Sequence, residues 1–260
     1  MKFFIAILLT LICVVFAKTP PNRINRANIQ WRQFIIGGTE VEDFSQFAYQ
    51  LSMRYVEIHV CGASIIALHW ALSAAHCFEN NVFPDMISFR AGSRDRFEGG
   101  IVVNAEQFFI HPLFDRLSYD FDAAVVRTIE PFIGKDVEVI SLIPMGFWLT
   151  PGTIGTISGW GIVDEGHLAI NLQKLDLEIW DQHECFVKWF GEITSNMFCA
   201  GGEPGYDSCN GDSGGAMVVD GVQVGIVSTG ATTCGINFPG VYTNITHPSI
   251  RAFILHRTGV

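Results

Sequence analysis

The chain has 260 residues, 49% hydrophobic and only 16% charged, which excludes a disordered protein and suffices for one large domain or two packed modules. Its 16 basic and 26 acidic residues are unevenly placed. The first 34 residues carry Lys2, Lys18, Arg23, Arg26 and Arg32 and no acid, so the rest has 11 basic against 26 acidic residues, a formal charge of −15. Such a surface repels nucleic acid and anionic membrane and mildly favours cationic substrates.

Met1-Lys2 is followed by an apolar run from Phe3 to Phe16 and a small residue, Ala17. A basic start, a short apolar stretch and a small residue predict a secretory signal over 1–17, too short for a membrane anchor. Residues 18–34 are polar, basic and proline-containing, and read as an exposed pro-segment. From Ile35 onward there is no repeat and no linker. Short apolar or alternating runs broken by Gly, Pro, Asn and Asp predict strands at 48–53, 64–67, 86–91, 102–110, 123–128, 153–160, 173–179, 216–219, 223–228 and 240–244. That pattern predicts an all-β barrel or sandwich. Two helices are expected: one over 182–189 capped by Asp181, and one after His247, with Pro248 in its first turn and Ile250, Phe253 and Ile254 on one face.

Of seven cysteines, Cys13 lies in the signal. Cys61, Cys77, Cys185, Cys199, Cys209 and Cys234 remain. No C-x-x-C pair is present, so a structural zinc site is not expected. An even count in an oxidising compartment predicts three disulfides, whose pairing sequence alone does not choose.

Three segments carry candidate chemistry. Gly211-Asp212-Ser213-Gly214-Gly215 is a glycine-rich turn displaying a serine. Glycine permits positive φ and close approach of a ligand, leaving N–H groups free for an oxyanion. A serine nucleophile needs a base. His76, in Leu72-Ser73-Ala74-Ala75-His76-Cys77, has a neighbouring cysteine to fix its backbone; His69, His111, His167 and the others lack such a setting. The base in turn needs a buried carboxylate to set its tautomer. Asp122 directly precedes the apolar run from Ala123; Asp120 competes with it but lies further from that run.

With I-I-G-G at Ile35, L-S-A-A-H-C ending at Cys77, D-A-A-V-V from Asp122, S-G-W-G from Ser158, C-N-G-D-S-G-G from Cys209 and P-G-V-Y-T from Pro239, the chain resembles the trypsin/chymotrypsin-like serine peptidases. The motifs occur in that family's order and cover Ile35 to nearly the C-terminus. The resemblance implies two six-stranded antiparallel β-barrels, about 35–144 and 145–246, with the active site between them and a C-terminal helix at about 247–257. It implies the pairs Cys61–Cys77, Cys185–Cys199 and Cys209–Cys234. It makes Ser213 the nucleophile, His76 the general acid/base, Asp122 its orienting acid, and the N–H groups of Gly211 and Ser213 the oxyanion hole.

In the same frame the substrate-binding positions are Asp207 at the pocket floor, Gly230 and Gly240 in its walls, and Ser228 beside it, which predicts cleavage after Arg or Lys. Thr229 stands where most members carry Trp, and Ala216 where Pro is usual. The loop from Gly92 to Gly100, with Asp95 and Glu98, is short beside the calcium loop of vertebrate trypsins, so neither metal nor cofactor is expected. Asn244-Ile245-Thr246 is a glycosylation sequon at the end of a predicted strand.

The family's zymogens activate when a cut before Ile35 frees an ammonium that pairs with Asp212. Here Phe34 precedes Ile35 and Arg32 lies two places further back. A cut after Arg32 would leave Gln33-Phe34 attached, up to about 7 Å of surplus chain. A pocket floored by Asp207 is poorly suited to cutting after Phe34, so the expected partners include a separate activating protease besides protein or peptide substrates and protein inhibitors. The expectation is thus a secreted, monomeric, digestive-type endopeptidase that engages neither nucleic acid nor membrane. Two alternatives stand beside it: a non-catalytic binding homologue, and a protease with chymotrypsin-like preference.

Overall fold

Between Gln50 and Thr128 six strands close on themselves. They are β2 (Gln50–Tyr55), β3 (Ile58–Ala67), β4 (Trp70–Ser73), β5 (Ile87–Ala91), β6 (Ile101–Ile110) and β7 (Ala124–Thr128), hydrogen-bonded in the order β2-β3-β4-β7-β6-β5 and back to β2. The structure is a computed structural model describing residues 35–79, 82–163 and 166–260, all within one unit spanning Arg32–Val260. The expected signal, the pro-segment and Phe34 lie outside the described residues.

The second body is an eight-stranded sheet. It comprises β1 (Thr39–Glu40), β8 (Ser141–Leu142), β9 (Ile154–Gly159), β10 (Gln173–Glu178), β11 (Met197–Ala200), β12 (Ala216–Val219), β13 (Val222–Thr229) and β14 (Gly240–Asn244). Its path runs β1-β10-β9-β12-β13-β14-β11, with β8 pairing parallel to β13. The mostly-β architecture with a C-terminal helix is as expected. The detail differs: the first barrel is closed with six strands, while the second sheet is an open antiparallel path of seven strands with β8 added parallel to β13.

The two bodies share a core because strand side chains alternate in direction. In β7, Ala124 and Val126 point into the first barrel with Leu51, Ile65 and Phe89. Val125 points the other way, into a cluster with Ile66, Leu72, Ile157, Ile226 and Ile254 that joins the bodies. The residues where β4 ends and β7 begins therefore sit beside this shared core, as does the turn leading into β12.

Two α-helices and three short 3-10 turns complete the described elements. α1 (Gln182–Lys188) is capped by Asp181, whose carboxylate accepts from the N–H groups of His183 and Glu184. α2 (Pro248–Thr258) has the His247 side chain as N-cap and left-handed Gly259 as its C-terminal stop. It buries Ile250, Phe253 and Ile254 against the shared core. Each such side chain contributes roughly 1.5–3 kcal/mol by burial.

Candidate active site

His76 lies on a short 3-10 turn, Ala75–Phe78, directly after β4. The Cys61–Cys77 disulfide ties that turn to β3. Asp122 stands just before β7 with none of its surface exposed. Its Oδ2 lies 2.7 Å from His76 Nδ1, and its Oδ1 accepts the His76 backbone N–H at 2.9 Å. The Ser228 hydroxyl donates to Oδ2 at 2.6 Å, and the Thr243 hydroxyl donates to the Asp122 backbone carbonyl at 2.8 Å. A carboxylate beside Nδ1 holds the ring hydrogen there and leaves Nε2 free to accept a proton. The Ser228 hydroxyl thus turns to Asp122, although the residue also lines the cleft.

Ser213 shares with His76 a cavity of about 380 Å³ that also takes in Asp207, Asn210, Thr229 and Gly230. The turn holding Ser213 is tied down on every side. Its carbonyl accepts the Gly62 N–H at 2.7 Å, Gly214 N–H reaches Val227, and Gly215 N–H reaches Asp212. Gly211 sits at φ +100°, where a side chain would be strained, and Gly214 at φ +82° with no room for a Cβ beside Gly62 and Ser73.

One residue that the sequence reading set aside holds this turn from behind. His59, buried beside Trp160, donates from Nε2 to the Gly211 carbonyl at 3.0 Å and accepts at Nδ1 from the Ser52 hydroxyl at 2.8 Å. Burial pushes its pKa down to about 4, so the ring is neutral and the relay has one direction. No local sequence signal marks His59, because the Gly211 carbonyl it meets lies 152 positions away.

Two buried acids face the other side of the turn. Asp212 accepts from the N–H groups of Gly161 at 2.8 Å and Cys209 at 3.0 Å. A Cβ on Gly159 or Gly161 would collide with its carboxylate, which explains the glycines on both sides of Trp160. Burial raises the Asp212 pKa to about 7 despite those N–H groups. Asp207 accepts from Gly235 N–H at 3.0 Å, and burial raises its pKa to about 6. A Cβ on Gly240 would sit 3.4 Å from the Asp207 carboxylate, and one on Gly230 would project toward Gly240 at 4.0 Å. Among the described residues no lysine, arginine or histidine pairs with either acid.

Ile35 and its neighbours thread between these groups. Ile35 is fully buried, bridges Val163, and belongs to the shared core. The Ile36 carbonyl accepts the Asp207 N–H at 3.1 Å. Gly37 takes φ +76° where a Cβ would run into Gly205 and Tyr206. The remaining disulfides join Cys185 of α1 to Cys199 of β11, and Cys209 to Cys234 at the cavity. All three pairs are those the resemblance implies. Closing loops of such lengths contributes about 3 kcal/mol each.

Asp120, the competing acid, has another partner set. Its Oδ1 accepts from Thr194 Oγ1 at 2.8 Å, Asn196 Nδ2 at 2.9 Å and Phe121 N at 3.1 Å. It thereby clasps the loop before Asp122 to the segment before β11. Tyr119 and Phe121 on its flanks both hold positive φ, 57° and 55°. The Tyr119 ring meets His76 edge-on, 5.4 Å between centroids. Sequence reasoning missed this role because the partners lie 74 and 76 positions away.

Two β bodies with a serine, a histidine and an oriented carboxylate at their junction define a class, the serine peptidases. Comparison with known proteins fixes the family. The trypsin family model matches residues 35–254. The chain is 36% identical over 227 residues to a trypsin of Simulium vittatum, covering 84% of this chain and 90% of that protein. It is 33% identical over 248 residues to trypsin Tyr p 3.0101 of Tyrophagus putrescentiae, covering 90% and 85%. It is 31% identical over 243 residues to a trypsin of Phaedon cochleariae, covering 91% and 92%. The chain therefore belongs to the trypsin family of serine peptidases.

Proposed function

We propose that this protein is a secreted zymogen whose activated form cleaves protein and peptide chains after Arg or Lys. The observation that carries the specificity is Asp207: 4% exposed, lining the cavity beside Ser213, with its carboxylate bonded only to backbone N–H groups. A desolvated carboxylate at the end of a glycine-walled slot rewards a guanidinium or ammonium and penalises an apolar side chain that leaves it unpaired.

In this reading the Ser213 hydroxyl attacks the scissile carbonyl while His76 Nε2 takes its proton. Asp122, held by Ser228 and the His76 backbone, keeps the imidazole oriented and stabilises its cationic form. The N–H groups of Gly211 and Ser213 bind the oxyanion. His76 then protonates the leaving amine, and water repeats the sequence to release the acyl group. The relay from Ser52 through His59 fixes the carbonyl face of Gly211.

Activation follows from Asp212. A buried carboxyl raised to about 7 lacks a counter-charge, and the α-ammonium of a chain beginning at Ile35 supplies one. The match of the family model from Ile35 and the burial of Ile35 support that start. The cut then falls after Phe34, and the Asp207 pocket leaves it to another protease of chymotrypsin-like preference. Residues 1–17 serve as the secretory signal and 18–34 as the pro-segment; no helix among the described residues is long and apolar enough to cross a membrane.

The reading is tested with protein activated to an Ile35 terminus, a fluorophosphonate probe, and peptide amides differing only in Arg, Lys or Phe before the scissile bond. Labelling at Ser213 with turnover of Arg and Lys substrates is expected. Preferred turnover of the Phe peptide would remove the assigned role of Asp207, and absence of labelling would remove the enzyme reading.

A further inference from the structure

The sequon at the end of β14 is left unused by the peptidase chemistry. It is the one N-x-S/T triplet in the chain. We propose that Asn244 carries an N-linked oligosaccharide whose first sugar rests on the apolar groove formed with Phe147 and Trp148. The proposal rests on the secretory reading above, because the donor and transferase belong to that compartment.

Three observations carry it. The Asn244 side-chain carbonyl accepts from Thr246 N–H at 3.0 Å and from the Thr246 hydroxyl at 2.8 Å. The hydroxyl the sequon requires is thus folded onto the acceptor amide of the half-buried Asn244, whose Oδ1 is occupied while Nδ2 is left nearly free. Nδ2 makes one long contact, 3.4 Å to the Ser195 carbonyl, and a substituted amide keeps the single N–H this contact uses.

The second observation is the groove. Asn244 and Thr246 line a depression of about 150 Å³ together with Phe147, Trp148, Pro151 and Trp180. Phe147 is 56% and Trp148 71% exposed. An exposed aromatic pair of this kind marks a contact surface, and nothing in the groove lining is charged. A charged peptide gains little there. A neutral sugar, polar at its rim and apolar on its C–H face, matches it, and a chain attached at Asn244 begins inside it. The Gly146 N–H, donated to the Thr246 carbonyl at 2.8 Å, fastens the aromatic loop to the sequon itself.

The third observation is location. The cavity shared by His76 and Ser213 has none of these groove residues in its lining, so a sugar here leaves the peptide cleft open.

The covalent step needs a co-reactant, a polyprenyl-diphosphate-linked oligosaccharide. Asn244 Nδ2 forms a C–N bond to the anomeric carbon, and the bond from that carbon to the diphosphate oxygen breaks. The electron pair leaves with the polyprenyl diphosphate, and the Nδ2 proton passes to a base of the transferase. Nothing is oxidised or reduced.

The test is secretion of the full chain from a mammalian cell line. Wild type, Asn244→Gln, Thr246→Ala and Thr246→Ser are compared before and after PNGase F, with peptide mass spectrometry at Asn244. A PNGase F-sensitive chain on wild type and Thr246→Ser, its loss in the other two, and conversion of Asn244 to Asp by the enzyme are expected. Should the variants fail to fold, the wild-type peptide still decides. Oxidative surface labelling reads the groove: Trp148 should be protected while the sugar is present and labelled once it is removed. Equal labelling in both forms overturns the docking. Unmodified Asn244 in wild type recovered from the medium overturns the site. Retention inside the cell with residues 1–17 attached ends the secretory reading and the glycan with it. Unchanged kcat/KM in activated Asn244→Gln is the expected control.

Discussion

The cleft brings together three buried acids that are met in different ways. Asp122, on the first-barrel side, is complete: His76 supplies two groups, Ser228 a hydroxyl, and Thr243 anchors its backbone. Asp207 and Asp212, on the second-sheet side, have only backbone N–H partners, and burial lifts them to about 6 and about 7. The contrast separates an acid that orients from an acid that waits. Asp122 has a fixed partner and can only position it. The other two have no charged partner among the described residues, and in the proposed reading each meets a cation that arrives from elsewhere, a substrate side chain for Asp207 and a newly made chain terminus for Asp212.

The strongest way to break this comparison is to neutralise the completed acid. Asp122→Asn keeps the shape but presents an amide to His76 Nδ1 and favours the wrong tautomer. The expected loss in kcat is about 10⁴-fold, as in this type of triad generally, with fluorophosphonate labelling slowed in parallel. A loss below tenfold would mean Asp122 does not orient the base.

Asp207→Ser comes next. Turnover of Arg substrates should fall by roughly 10⁴-fold while Phe substrates gain relative to them, read as a ratio of kcat/KM. The raised pKa adds a pH signature. The carboxyl is protonated below about 6 in the empty pocket, so affinity for a small amidinium inhibitor should weaken as pH falls through that value. Pale pH dependence in Asp207→Ser completes the test, since the titrating group is then gone.

Asp120 sharpens the comparison, because it clasps the loop carrying the completed acid. Asp120→Ala removes one acceptor from three donors, and kcat/KM should fall about tenfold, mainly in kcat. Asp120→Asn retains Oδ1 and should restore most of it. A merely structural residue would lower stability without that kcat-against-KM split.

The smallest effect lies off the cleft, where the chain supplies its own cation. Arg90 donates to the carbonyls of Gly99 and, at 2.8 Å, Phe97 in the 92–100 loop, and Asp95 accepts from Phe97 and Glu98 N–H. Arg90→Met should lower Tm by about 2–4 °C per kcal/mol lost in a domain of this size. Chelator should leave the wild-type Tm unchanged.

The parts legible in the sequence are those where chemistry permits one residue type. Glycines 211 and 214 were read for their backbone freedom and stand at positive φ, while 159 and 161 entered only through the S-G-W-G motif, and the structure supplies their reason, a Cβ that would meet the Asp212 carboxylate. Asp122 was visible because an acid stands at the door of a buried strand. β4 and β11 were missed because Ala71, Leu72 and Ser73, and all four residues of β11, are buried with no polar alternation to mark a strand. His59 and Asp120 were missed for another reason: their partners are 152 and more than 70 positions away, and no local pattern records such a meeting.

The most direct measurement treats the purified proenzyme separately with chymotrypsin and with trypsin, sequences each new N-terminus, and assays matched Arg and Phe peptides. The predicted result is an Ile35 terminus and Arg-directed activity after chymotrypsin, with trypsin giving a Gln33 terminus and little activity. Full activity from the Gln33 form, or from an uncut chain, would contradict the claim that Asp212 waits for the amine of Ile35.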